Sequence, residues 1–205
     1  MRRFSSNAGI AIGPILFVIA LLGILAAVIA AGTGDFGTAT IADRVYNDVL
    51  SQANLIRTKI SECNLKYGAS PGNGDGWPPS DASNGTPVCA LICEGDSNTV
   101  MTGNDCTGSG MTTQNIWYGM RAALLPPPTS GFNEWYYMNA GASGGRCIWT
   151  QPSGSAGEGI QAGLTHAATK FSSQEVLYNS GGSTHRFVIW ITLPTGTPDT
   201  HCTSS

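Results

Sequence analysis

"GIAIGPILFVIALLGILAAVIAAG" occupies residues 9–32 and contains no charged side chain. How this run is read decides the plan of the whole chain, because three arrangements begin this way: a secretory signal that is removed, a plain membrane anchor, and an apolar helix that leaves the membrane for an assembly. A signal-peptide apolar region runs about 7–15 residues and a bilayer-spanning helix needs about 20, so the run has the length of a span. No Ala-x-Ala type cleavage site with a polar start follows, since the chain stays small and apolar until Asp35. Arg2 and Arg3 precede the run and the first acidic residue, Asp35, follows it. The positive-inside rule therefore orients the N-terminus to the cytoplasm and the bulk of the chain outside.

The composition downstream agrees with an exported part. Charged residues make up 11% of the chain, against about 25% in typical soluble domains, and glycine contributes 27 residues. The net charge of −3, with basic residues scattered singly, offers no basic stripe for nucleic acid. All six cysteines, Cys63, Cys89, Cys93, Cys106, Cys147 and Cys202, lie beyond the apolar run, and an even number there reads as a disulfide set in an oxidising compartment. Zinc is the competing reading. Its sites use tight C-x₂-C pairs or nearby histidines, whereas Cys89 and Cys93 are spaced C-x₃-C and His166, His185 and His201 lie far along the chain. Among the pairings open to six cysteines, Cys147–Cys202 is the expected one, because it would tie the C-terminal tail to the sheet.

Three glycines in "GTGDFGTAT", residues 32–40, weaken the helix before the pattern resumes. From residue 41 to 68, Ile41, Val45, Val49, Ile56, Ile60, Cys63 and Tyr67 recur at helical steps, with polar residues opposite and Gly68 as a stop. The spacing predicts one helix from about Gly13 through Tyr67, loosened at the glycines. Turn-forming residues then dominate to about Gly110. "NIWYGMRAALL", residues 115–125, reads as a short helix. "EWYYMNAGASGGRCIWTQ" and "EVLYNSGGSTHRFVIWITL" read as two hairpins, with "GIQAGLTHAATKF" as a helical crossover between them. The expected fold class is α+β: a long N-terminal transmembrane and amphipathic helix packed on a small antiparallel sheet. The expected domains are a leader at 1–9, an apolar helix segment at 10–34, and an amphipathic helix with an extracytoplasmic head at 35–205.

At residues 15–31, "ILFVIALLGILAAVIAA" resembles the N-terminal helix of type IV pilins and type II secretion pseudopilins, whose Gly-Ile-Leu-Ala-Ala core stands here as Gly23, Ile24, Leu25, Ala26 and Ala27. The leader "MRRFSSNAG" ends in Gly9, as pilin leaders do. The resemblance implies cleavage between Gly9 and Ile10 by a prepilin peptidase, methylation of the new N-terminus, an inner-membrane stage, and assembly with other pilin or pseudopilin subunits into a filament. One residue departs from the family: Pro14 stands where members usually carry a glutamate that neutralises a neighbour's N-terminal amine. Proline is tolerated in a first helical turn, whose N–H groups lack partners. Gly23, Ala27 and Ala31, four residues apart, place small side chains on one face and allow another helix to approach closely.

No catalytic motif is present, no cofactor is expected, and Cys63 reads as a disulfide partner rather than a nucleophile. "NGDG" at 73–76 and "EGDSN" at 94–98 carry oxygens that could hold calcium, but turn chemistry explains them and no metal is expected. "NGT" at 84–86 fits a glycosylation sequon and marks an exposed loop. Strand alternation points Trp149 and Trp190 into a core, and leaves Trp77, in a Gly/Pro loop, open between packing and contact. The expected function is a structural filament subunit and not an enzyme. The alternative is a membrane-anchored periplasmic binding or adhesive protein that does not polymerise, with a secreted enzyme on a retained anchor ranked last.

Overall fold

The computed structural model describes residues 12–68, 76–93, 115–117 and 131–204; for 12–14, 28–36 and 67 it describes the backbone alone. The chain divides into two compact units, Met1–Thr40 and Ile41–Ser205. Helix α1, Ile12–Tyr67, contributes its first part to one unit and its second part to the other.

In the larger unit α1 presents a stripe at three- and four-residue steps. Val45, Val49, Ala53, Ile56, Ile60 and Cys63 are all buried there. Ile41 departs from expectation. It is 49% exposed, because the core cluster begins one turn further on, at Val45. The partner of this stripe is an antiparallel sheet of five strands in the order β1-β2-β3-β5-β4. The strands are β1 (Thr86–Pro87), β2 (Tyr136–Asn139), β3 (Arg146–Thr150), β4 (Val176–Tyr178) and β5 (Phe187–Thr192). The turn between β2 and β3 contains a single helical turn, α2 (Gly141–Gly144), and α3 (Glu158–Ala168) links β3 to β4. Both hairpins and the crossover helix thus form where the turn residues and periodicity placed them.

Register sorts the side chains into two layers, since successive residues of a strand point to opposite faces. Tyr137, Ile148, Ile189 and Val176 lie side by side across four strands and face α1. Tyr136, Trp149, Val188 and Leu177 form the adjacent row on the outer face. Both faces are covered, so every residue of β3 is buried. The inner core also receives Leu164 and Ala167 of α3. Here Gly163 is required: a Cβ on it would sit 2.7 Å from the carbonyl oxygen of Ala42 and from Val45 Cβ. A glycine lets the α3 backbone approach α1 this closely.

Gln52, Trp135 and Trp117 on the inner side have specific hydrogen-bond partners. Gln52 interrupts the apolar stripe, and its Oε1 accepts from Trp135 Nε1 at 2.8 Å. Trp117 Nε1 donates to the Val88 carbonyl at 2.8 Å, and its backbone N–H donates to Asn115 Oδ1 at 2.8 Å. The expected short helix at 115–125 is therefore corrected where it is described: Asn115 bridges Ile92 in an antiparallel pair and Ile116 and Trp117 form a turn, because this segment extends the core layer around residues 88–92. Residues 118–125 lie outside the described ones.

The disulfides close both layers. Cys147–Cys202 is formed as expected, with Cα atoms 5.7 Å apart, and clamps the C-terminal tail over the outer face. Cys63–Cys93, Cα atoms 5.3 Å apart, ties the end of α1 to the segment after β1. Cys89 is disulfide-bonded as well, and Cys106 lies outside the described residues. Trp149 and Trp190 are buried, as alternation predicted, and Trp77 is half-buried with the Arg146 guanidinium 5.2 Å from its ring centre.

Candidate functional site

The sequence-predicted residues for processing and assembly all fall in the smaller unit. Gly9 and Ile10 lie outside the described residues, and Pro14 and Ala31 are described by their helical backbone alone. Gly23 and Ala27 stand exposed on α1, and a Cβ built on Gly23 would meet nothing within 4 Å. They belong to a stretch, residues 15–27, in which every described side chain is exposed. Nine large apolar residues within it, from Ile15 to Leu25, are each at least 50% exposed, with Phe17 at 67%. The apolar groups run all round the helix, which is the pattern of a helix meant to be enclosed.

The expected membrane span is not shown over the described residues. Among them no helix is long and apolar enough to cross a membrane. The rest of the uncharged run, toward residue 9 and across residues 28–32, carries side chains outside the described set.

A second surface lies wholly in the larger unit and has no local signature in the sequence. It is a groove of about 750 Å³ over the outer sheet face. Its floor is Trp149 and Tyr136, stacked with ring centres 5.5 Å apart. The rim comes from separated loops: Asp81 and Asn84 before β1, Asn133 and Glu134 before β2, Gln151 after β3, Arg186 before β5, and His201 of the tail. Gly85, at φ +72°, completes the first loop, and a Cβ there would collide with the Trp149 ring. Asp81 Oδ1 shapes this loop by accepting the backbone N–H groups of Ser83 at 2.6 Å and Asn84 at 3.3 Å. The exposed Asn84, the sequon residue, lines the groove.

Arg186 is the groove's defining cation. Its Nε donates to Gln151 Oε1 at 3.3 Å and its Nη1 to the His201 carbonyl at 3.4 Å, with the guanidinium 5.8 Å from the Trp149 ring centre. Burial pushes its pKa down from the usual arginine value. The imidazole of His201 is held by Asp199, Nδ1 to Oδ1 at 2.9 Å, and sits 5.8 Å from the Trp149 ring. The other two histidines are apart from it: His166 stacks on Tyr46 at 4.2 Å, and His185, at φ +48°, has Nε2 3.5 Å from Gln161 Nε2.

Among the described residues no group of three acidic, histidine or cysteine side chains is placed to hold a metal ion. Both stretches considered for calcium lie outside the described residues, apart from Gly76. No family model, no curated protein and no solved structure matches the chain. What can be said of function therefore rests on the two surfaces and on the N-terminal residues.

Proposed function

We infer that the chain is a structural subunit of a type IV pilus-like or pseudopilus filament, held in the inner membrane by residues 10–34 and then assembled through its apolar helix. The observation that carries this reading is the uncovered stretch of α1 from Ile15 to Leu25. Enclosing a large apolar side chain is favourable by about 1.5–3 kcal/mol, so nine of them on one short rod strongly favour an apolar enclosure. Lipid supplies it before assembly and neighbouring helices supply it afterwards. The basic leader ending in Gly9 and the uncharged run that follows support the same sequence of events. The head, Ile41–Ser205, is displayed outside the cytoplasm, where its disulfides are stable.

In this reading Pro14 removes the carboxylate that sets register in pilin-type subunits, so contact falls to packing against the small residues Gly23, Ala27 and Ala31. The subunit then suits a filament tip or a short pseudopilus better than a long fibre. The alternative, an anchored binding protein that never polymerises, draws support from the groove and is separated by the same experiment. Protein is recovered from its native envelope, its N-terminus is read by mass spectrometry, and filaments are probed for its presence. The expected result is a modified Ile10 start and incorporation into filaments, which Ala27→Trp abolishes while membrane recovery stays unchanged. An intact Met1 start, or incorporation untouched by Ala27→Trp, overturns the filament reading.

A further inference from the structure

The outer-face groove takes no part in the assembly just described, and its chemistry is specific enough to name a ligand class. Carboxylates (Asp81, Glu134), carboxamides (Asn133, Gln151) and a guanidinium (Arg186) share one rim above the Tyr136 ring. An apolar ligand would strip water from all of these groups and satisfy none. A simple anion would face Asp81 and Glu134, and a simple cation would face Arg186. Hydroxyl groups donate and accept, so a polyol satisfies the acidic and amide members together. Tyr136, half-buried, offers ring surface for the apolar C–H face of a sugar.

Arg186 adds a further requirement. Among the described residues no carboxylate lies within ion-pair distance of it, and its protein partners, an amide oxygen and a backbone carbonyl, are neutral. A half-buried guanidinium that lines a groove and has only neutral protein partners binds best to a carboxylate in a charge-assisted pair. The geometry points to a binding site for a carboxylate-bearing pyranose, a uronic or related acidic sugar. Its carboxylate lies on Arg186, its ring hydroxyls on the carboxylates and amides of the same rim, and its C–H face on Tyr136. The site would give the head a saccharide contact whether or not the chain polymerises.

The test uses the full chain, unassembled, in lauryldimethylamine oxide, a detergent without sugar. Galacturonate and galactose are titrated in parallel, since they share a ring and differ in the carboxylate, and binding is followed by the indole N–H resonances. Galacturonate is expected to bind with a Kd on the order of 1 mM, the reach of one sugar with few contacts, and galactose about tenfold more weakly. Arg186→Gln brings galacturonate to the level of galactose without moving galactose, and Arg186→Lys keeps part of the preference. Asn133→Ala, an exposed rim change, weakens both sugars alike and serves where Arg186→Gln perturbs the fold. Equal affinity for the two sugars overturns the inference, as does acetate binding as tightly as galacturonate, which would mark a plain anion site. Absence of binding by either sugar at about 50 mM also overturns it.

Discussion

Ile24 and Ile56 are the same side chain on the same helix, one 65% exposed and the other fully buried. Around Ile24 the neighbours at every angle are apolar, and nothing from the described residues covers them. Around Ile56 the apolar groups narrow to a stripe, with Arg57 and Thr58 beside it turned to polar surroundings. The stripe is met by Tyr137, Ile148 and Phe187, and the all-round segment is met by nothing from the described chain. A stripe can be satisfied by one sheet, whereas a helix apolar on all sides needs several partners or a solvent of its own kind. The contrast separates the part of α1 that holds the head together from the part that carries the proposed assembly.

The sharpest way to break this contrast is a matched pair of truncations. Ile56→Ala is expected to cost about 2–5 kcal/mol of unfolding free energy, because it removes a fully buried side chain from a packed core. Ile24→Ala in the unassembled protein is expected to stay within about 0.5 kcal/mol of the parent. Denaturant melts of both variants read the difference, and a comparable loss in the two would erase the distinction. Next in size is Gln52→Leu. It leaves the buried Trp135 Nε1 without its acceptor and should cost about 1–3 kcal/mol, with the indole proton of Trp135 shifted in the spectrum. A neutral outcome would mean that the polar break in the stripe does not fix the docking of α1 on Trp135.

The smallest expected effect concerns Glu175, which pins the polar side of α1. Its carboxylate accepts from Arg57 Nη2 at 2.9 Å, and from the Ser172 N–H at 3.2 Å and hydroxyl at 3.0 Å. The Arg57 bond first, then those of Ser172, hold its pKa below the ordinary glutamate value. With the folded pKa depressed, the unfolded chain takes up the proton first. The stabilisation is therefore complete above about pH 5 and is lost as pH falls below about 4. At this partly exposed pair it amounts to less than about 1 kcal/mol. Glu175→Gln should lower stability slightly at pH 7 and match the parent near pH 3 by thermal melts, and a gap that widens on acidification would reverse the sign.

Much of the head was legible because its signals are local. Val45, Val49, Ile56 and Ile60 keep a helical period that only one face can use, and "NSGGS" and "AGASGG" break the chain where strands must turn. Ile41 fits the same period and yet is exposed, because periodicity cannot say where the covering layer stops. Strand β1 is two residues long and holds its place by pairing with Tyr136 and Tyr137, which no local pattern encodes. The segment at 115–117 has apolar residues that suit a helix, and its bridge to Ile92 comes from distant chain. Trp149 was legible as a core residue, but its role as a groove floor was not. The loops above it come from positions near 81, 133, 151, 186 and 201, and only the sheet order brings them to one place.

That sheet order also sets a timetable. The strand pairing β3 on one side and β4 on the other is β5, and its inner residues Phe187 and Ile189 follow Ile56 by roughly 130 positions. At a synthesis rate of about 5–20 residues per second, the buried stripe of α1 emerges on the order of ten seconds before β5 exists. Contacts so distant along the chain also close slowly once both halves are present. For that interval the stripe is as uncovered as the segment around Ile24. A nascent chain with two apolar helix faces open in succession is a client for whatever binds such surfaces during synthesis, and its yield should depend on that helper more than on the final stability of the head.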